Sequence, residues 1–172
     1  MTPETKQQVA EAIHTFRLPR YNEIPNVGLY LEQTTKYICE YLAPLQENAL
    51  TGSMISNYVK KGLIVNPVKK LYNRDQVAYL FFIAVAKSIL SLDALTGFIK
   101  LQQQTYDLPT AYDYFCEELE NRLQFTFELK DSPQVVGVDR TDEKRLLYTC
   151  IVAAVQKVYL EKCLKTIADR ND

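Results

Sequence analysis

The chain has 172 residues, of which 47% are hydrophobic and 24% charged, and its formal net charge is −1 at pH 7. That length and apolar content suit one compact domain, or a small domain with an appendage, around an ordinary core. The near-neutral balance excludes a globally basic coat for nucleic acid, so any polyanion binding must come from a local patch.

Residues 3–16 read as a first helix. Pro3 and Glu4 suit its first turn, and Val9, Ala12, Ile13 and Phe16 recur at helical spacing. Leu18, Pro19 and Arg20 break it. Pro25 and Asn26 start the next segment, striped by Val27, Tyr30, Leu31, Thr34, Ile38, Tyr41, Leu42 and Leu45. After a loop at 46–50, a third helix runs from Gly52 or Ser53 to Lys61. Thr51 or Ser53 caps it, and Gly62 stops it as a left-handed residue. Leu63, Ile64 and Val65 are a β-prone run, Asn66-Pro67 is a turn signal, and residues 68–72 run back, which predicts a small β-hairpin.

Asn73 is a cap for the next helix, with Gln76 placed to reach back in a capping box. Residues 74–90 are apolar nearly all round, so this helix belongs at the centre of a core. Ser91 and Asp93 begin another helix that reaches Gln104. Asp107, Leu108 and Pro109 open one that runs to about Leu129. It has Tyr112, Phe115, Leu119 and Leu123 on one stripe, and Asp113, Glu117, Glu118 and Glu120 on a face that reads as solvated. A connection at 130–140 leads to a long last helix begun by Thr141, Asp142 and Glu143. One side of it is lined by Leu147, Cys150, Ile151, Ala154, Val158 and Leu164. The expected organisation is an N-terminal helix and lead-in at 1–20, a head at 21–104, and a C-terminal helical region at 105–172 for dimerisation or effector binding.

Residues 51–74 carry the clearest functional signal. They hold Lys60, Lys61, Lys69, Lys70 and Arg74 and no acidic residue, within a chain that is otherwise acidic. Successive helical residues step by about 100°. On the third helix that step gathers Met54, Ile55, Tyr58 and Val59 on one half, and Ser53, Ser56, Asn57, Lys60 and Lys61 on the other. The polar half suits a DNA groove. Short serines allow close approach and donate to phosphate, Asn57 can pair with an adenine edge, and the lysines neutralise phosphates. The same lysines have structural readings too: cations favour a helix's C-terminal end, and hairpin lysines discourage edge pairing.

Other chemistries find little support. Cys39, Cys116, Cys150 and Cys163 have no CxxC spacing, and His14 is the lone histidine. That argues against structural zinc and a disulfide framework, and fits reduced thiols in a cytoplasmic protein. No phosphate-binding glycine loop, nucleophile elbow or metal triad is present, so neither catalysis nor a cofactor is expected. The longest apolar run, 77–86, falls well short of the roughly 20 residues that cross a bilayer.

The run SMISNYVKKGLI at 53–64, followed by Pro67, Lys69-Lys70, Tyr72 and residues 74–80, resembles an uncharacterised bacterial family, domain-of-unknown-function family 1836. Leu18-Pro19-Arg20, Ile24-Pro25 and the run LYLEQ at 29–33 resemble that family's opening. The likeness covers about residues 15–105. That family is in turn similar to the winged helix-turn-helix head of MerR-type regulators, through Tyr58, Gly62-Leu63-Ile64, Pro67, Tyr72 and Ser91-Leu92. The resemblance implies a groove-reading helix bearing Ser53, Ser56, Asn57, Tyr58 and Lys60, and a wing bearing Lys69, Lys70, Tyr72 and Arg74. It departs from MerR-type proteins after residue 105, where two amphipathic helices stand in place of a long coiled-coil helix.

The expected fold is therefore mainly α: a MerR-like winged helix-turn-helix head with a small β-hairpin wing, and a C-terminal helical extension. The expected function is sequence-specific binding of double-stranded DNA by a homodimeric transcription regulator. The alternative is a helical protein–protein interaction module with no nucleic-acid role.

Overall fold

The structure is a computed structural model that describes residues 2–169. Among these residues the regular elements are helical: α1 (Pro3–Glu11), α2 (Leu31–Leu42), α3 (Gly52–Lys60), α4 (Arg74–Ala86), α5 (Leu92–Thr105), α6 (Leu108–Thr126) and α7 (Asp142–Ala168), with one 3-10 turn at Tyr21–Glu23.

Local chemistry sets most of these helix starts. Side-chain oxygens of Thr2, Thr51, Asn73, Ser91, Asp107 and Thr141 each accept from a backbone N–H three residues on, satisfying one exposed amide. At Asn73 the box is complete, because Gln76 Oε1 accepts from the Asn73 N–H at 2.8 Å. Four helices are shorter at one end than their periodicity suggested: α4 ends at Ala86 rather than near residue 90, α6 at Thr126 rather than near Leu129, and α1 and α2 are also trimmed. α1 stops at Glu11, and Ile13 and Phe16 reach the core through tight turns instead (Ile13 N–H to Ala10 O, 3.0 Å; Phe16 N–H to Ile13 O, 2.9 Å). α2 starts at Leu31 rather than near Pro25, which leaves Val27 and Tyr30 exposed and not on a core stripe.

α4 is the hub. Nearly all its side chains are buried, including Val77, Leu80, Phe81 and Ile83. Phe81 meets Tyr37 and Tyr41 of α2 and Tyr112 of α6, while Phe82 meets Phe98 of α5 and Phe115 of α6. α6 and α7 pack along each other, α1 lies against α7, and α3 packs mainly on α2. One hydrophobic cluster runs through the whole, from Val9 to Cys163.

Two expectations need correction. The β-hairpin wing does not form: among the described residues there are only two isolated bridges, Val68 with Leu71 and Leu29 with Tyr72. The reason is that the 63–65 run is committed elsewhere. Leu63 and Ile64 N–H groups donate back to Tyr58 O, their side chains are buried, and Val65 O accepts from Gln76 Nε2 at 2.8 Å. The chain therefore reverses at Lys69-Lys70, not at Asn66-Pro67.

The acidic face of α6 is not simply solvated either. Glu118 is buried and pairs with Arg122 at 2.6 Å. Glu120 takes both guanidinium nitrogens of Arg20 at 2.7 Å and the Leu18 N–H at 2.9 Å, and Asp113 accepts from the Tyr21 N–H. Three carboxylates thus fasten the lead-in segment and α6 itself, and Glu117 alone of the four is exposed without such a role.

Candidate nucleic-acid interface

α3 divides cleanly into two sides. Ile55 and Tyr58 are buried, and Met54 and Val59 pack partly against the core. Ser53, Ser56, Asn57, Lys60 and Lys61 are all exposed. The helix begins close to α2, where a Cβ at Gly52 would lie 3.3 Å from Leu31 Cδ2. It ends with Lys61 N–H donating to Asn57 O at 2.9 Å, followed by Gly62 at φ +73°, the left-handed stop. Residues 43–51 connect α2 to α3. That link is longer than the roughly three or four residues of a tight helix-turn-helix corner.

The second cationic element is the turn. Leu71 N–H donates to Val68 O at 2.9 Å, and the two central residues, Lys69 and Lys70, have φ of 50° and 66°. Positive φ at both positions marks the mirror-image turn that suits a right-twisted chain reversal. Both lysines are exposed. Reciprocal backbone hydrogen bonds between Leu29 and Tyr72 bring residues 27–30 beside this turn. Val27, Tyr30, Val65 and Val68 are exposed, at 56–73%. Sequence reading missed these four; a lone valine or tyrosine in a connecting segment carries no local mark of facing solvent.

Three of the residues read as DNA contacts sit differently. Tyr58 and Tyr72 are each 5% exposed, so their rings belong to the core, and burial pushes both phenols up from their ordinary value. Arg74 is half-buried. Its Nε donates to Ile24 O at 2.9 Å, and its guanidinium lies 5.5 Å from the Tyr21 ring centre. Tyr21 in turn donates to the Asp75 carboxylate, and that bond, with burial second, pushes its phenol up to about 12. The exposed cationic set is thus Lys60, Lys61, Lys69 and Lys70.

These lysines differ from several of the chain's other cations in their pairing. Among the described residues, none of the four lysines makes an ion pair, whereas Lys6, Arg20, Arg122, Lys144 and Lys165 all do. The described residues contain no group of three or more His, Cys, Asp or Glu placed to hold a metal ion. The cysteines are free, with Cys116, Cys150 and Cys163 buried and Cys39 partly so. No helix among them is long and apolar enough to cross a membrane.

No curated protein and no solved structure matches the chain. A family model does, over residues 19–115, from the lead-in through α2, α3 and the lysine turn to the first half of α6. That span is more than half of the sequence, and by it the chain belongs to the family described as Domain of unknown function (DUF1836).

Proposed function

We propose that this protein binds double-stranded DNA as a transcription regulator, with a head related to the MerR-type helix-turn-helix. The exposed face of α3 enters the major groove, and the Lys69–Lys70 turn, standing in for a wing, touches the flanking backbone. Ser53 and Ser56 give close approach, Asn57 reads a base edge, and Lys60 and Lys61 take phosphates.

One observation carries the reading. A non-glycine residue in the left-handed region costs roughly 1–2 kcal/mol, and turns of this type favour Asn-Gly. Here both central positions are lysine, exposed and, among the described residues, without an ion pair. Local strain held by the surrounding structure is characteristic of functional positions. Two strained cations that follow in sequence a helix face with no carboxylate suit a polyanion with regularly spaced charges.

Selection from a random duplex pool, followed by titration of the enriched site, tests this. Four or five phosphate contacts give a salt slope of about −4 per protomer. Asn57→Ala should weaken the selected site by about 1–3 kcal/mol and spare random DNA, while Lys60→Ala weakens both alike. No enrichment, and no binding at low salt, would sink the reading and leave a helical interaction module as the better description.

A further inference from the structure

The outer face of α7 carries apolar side chains where a solvated helix normally carries charge. Leu146, Leu160, Leu164 and Ile167 are 45%, 57%, 58% and 40% exposed, and Ala153 is exposed between them. This is a different arc from Leu147, Cys150, Ile151 and Ala154, which are buried in the protein's own core; Leu164, expected on that core side, lies on the outer arc instead. Leu146, Ala153, Leu160 and Ile167 follow one another at intervals of seven, the repeat of a helix–helix seam. At 1.5 Å per residue the stripe is about 32 Å long.

We propose that this stripe is the two-fold seam of a homodimer, in which α7 packs antiparallel on α7 of a second copy. A two-fold contact must be self-complementary, so that a residue i meeting j implies j meeting i. The stripe has that symmetry about the midpoint between Gln156 and Lys157. Leu146 then faces the partner's Ile167, Thr149 the partner's Leu164, and Ala153 the partner's Leu160. Small opposite large fills the seam evenly, whereas a parallel pair would set Ala153 against the partner's Ala153 and leave a gap.

Electrostatics permit a like copy. Between Leu146 and Ile167 the one charge in the arc is Lys157, and it is already bonded to Glu161 on the same helix. The chain's net charge of −1 adds little repulsion between copies. A differently charged partner would have nothing on this face to recognise.

Light scattering on the full chain, without DNA, reads the outcome. Wild type should weigh about twice its 19.8 kDa at tens of micromolar. Leu160→Glu puts a carboxylate into both halves of the seam and should raise the dimer dissociation constant about a hundredfold or more. Its circular dichroism should stay unchanged, because Leu160 is solvent-exposed within one copy. Lys60→Ala should remain dimeric, which separates this proposal from the DNA reading. In a Cys39→Ser background, mixing Ala153→Cys and Leu160→Cys chains should give the mixed cross-link. A monomeric wild type, or a dimer that tolerates Leu160→Glu, overturns the seam. Cross-linking of each variant only to itself overturns the antiparallel arrangement.

Discussion

Leu29 and Tyr72 exchange both backbone hydrogen bonds, Leu29 N–H to Tyr72 O at 2.9 Å and Tyr72 N–H to Leu29 O at 2.8 Å. This one paired step ties the entrance of α2 to the end of the lysine turn. The neighbouring residues press close as well, since a Cβ at Gly28 would lie 2.6 Å from Leu71 Cβ. The lysine turn and the start of α2 are therefore held in one frame by a contact that needs glycine at 28.

Gly28→Ala should break that frame. Leu71 Cβ is fixed to its backbone and cannot swing aside, so the two segments must separate. The expected cost is about 1–3 kcal/mol, the usual range for overpacking. Gly97→Ala is the control: the space around a Cβ there is open, and the site lies within α5. It should be neutral or stabilising by up to about 1 kcal/mol. Thermal melts that fail to separate the two substitutions would contradict the packing described.

Lys70→Gly should uncouple stability from binding. Glycine removes the left-handed penalty at φ 66° but gains freedom in the unfolded chain, for a net stabilisation of about 0.5–1 kcal/mol. If Lys70 contacts a phosphate, DNA affinity falls at the same time and the salt slope shrinks by about 0.9. A variant that melts higher and binds with an unaltered slope would remove the turn from the interface.

Tyr58 distinguishes core from contact. Its ring is 5% exposed and its carbonyl accepts from both Leu63 and Ile64 N–H groups at the end of α3. Tyr58→Ala should cost about 3–5 kcal/mol, as for other large aromatic truncations in a core. Tyr58→Phe keeps the ring and should leave DNA affinity within about twofold. Loss of binding by a fully folded Tyr58→Phe protein would restore the phenol as a contact.

What the sequence made legible was local. The α3 face follows from a 100° step, a threonine cap and a glycine stop, all within twelve residues of one another. The Asn73–Gln76 box is equally short-range. The absent hairpin was not legible, because the Val65 carbonyl is taken by Gln76 Nε2 from the next helix. Nor does Lys69-Lys70 look like a turn, since lysine carries no preference for positive φ. Glu118–Arg122 could be read from its spacing of four, but Glu120 finds Arg20 a hundred residues away. On α7 the seven-residue spacing is present in the sequence. It is hidden there because the adjacent arc, facing the core, is apolar too.

The buried thiols set an alkaline limit on stability. Burial pushes Cys116 up to about 12 and Cys150 up to about 11, because a thiolate is poorly solvated in the core. In the unfolded chain both titrate near about 8.5. Between those values the folded protein binds more protons than the unfolded one, so stability falls as pH rises. The contribution is fully present below about pH 8.5 and is lost progressively toward the folded values, at up to about 1.4 kcal/mol per pH unit for each thiol. Chemical denaturation at pH 7.5, 8.5, 9.5 and 10.5 should show that decline, and a Cys116→Ala/Cys150→Ala protein, though less stable at pH 7.5, should show a shallower one. An equally steep decline in the double variant would place the alkaline sensitivity on other groups, with the buried phenol of Tyr112, itself pushed far up by burial, first among them.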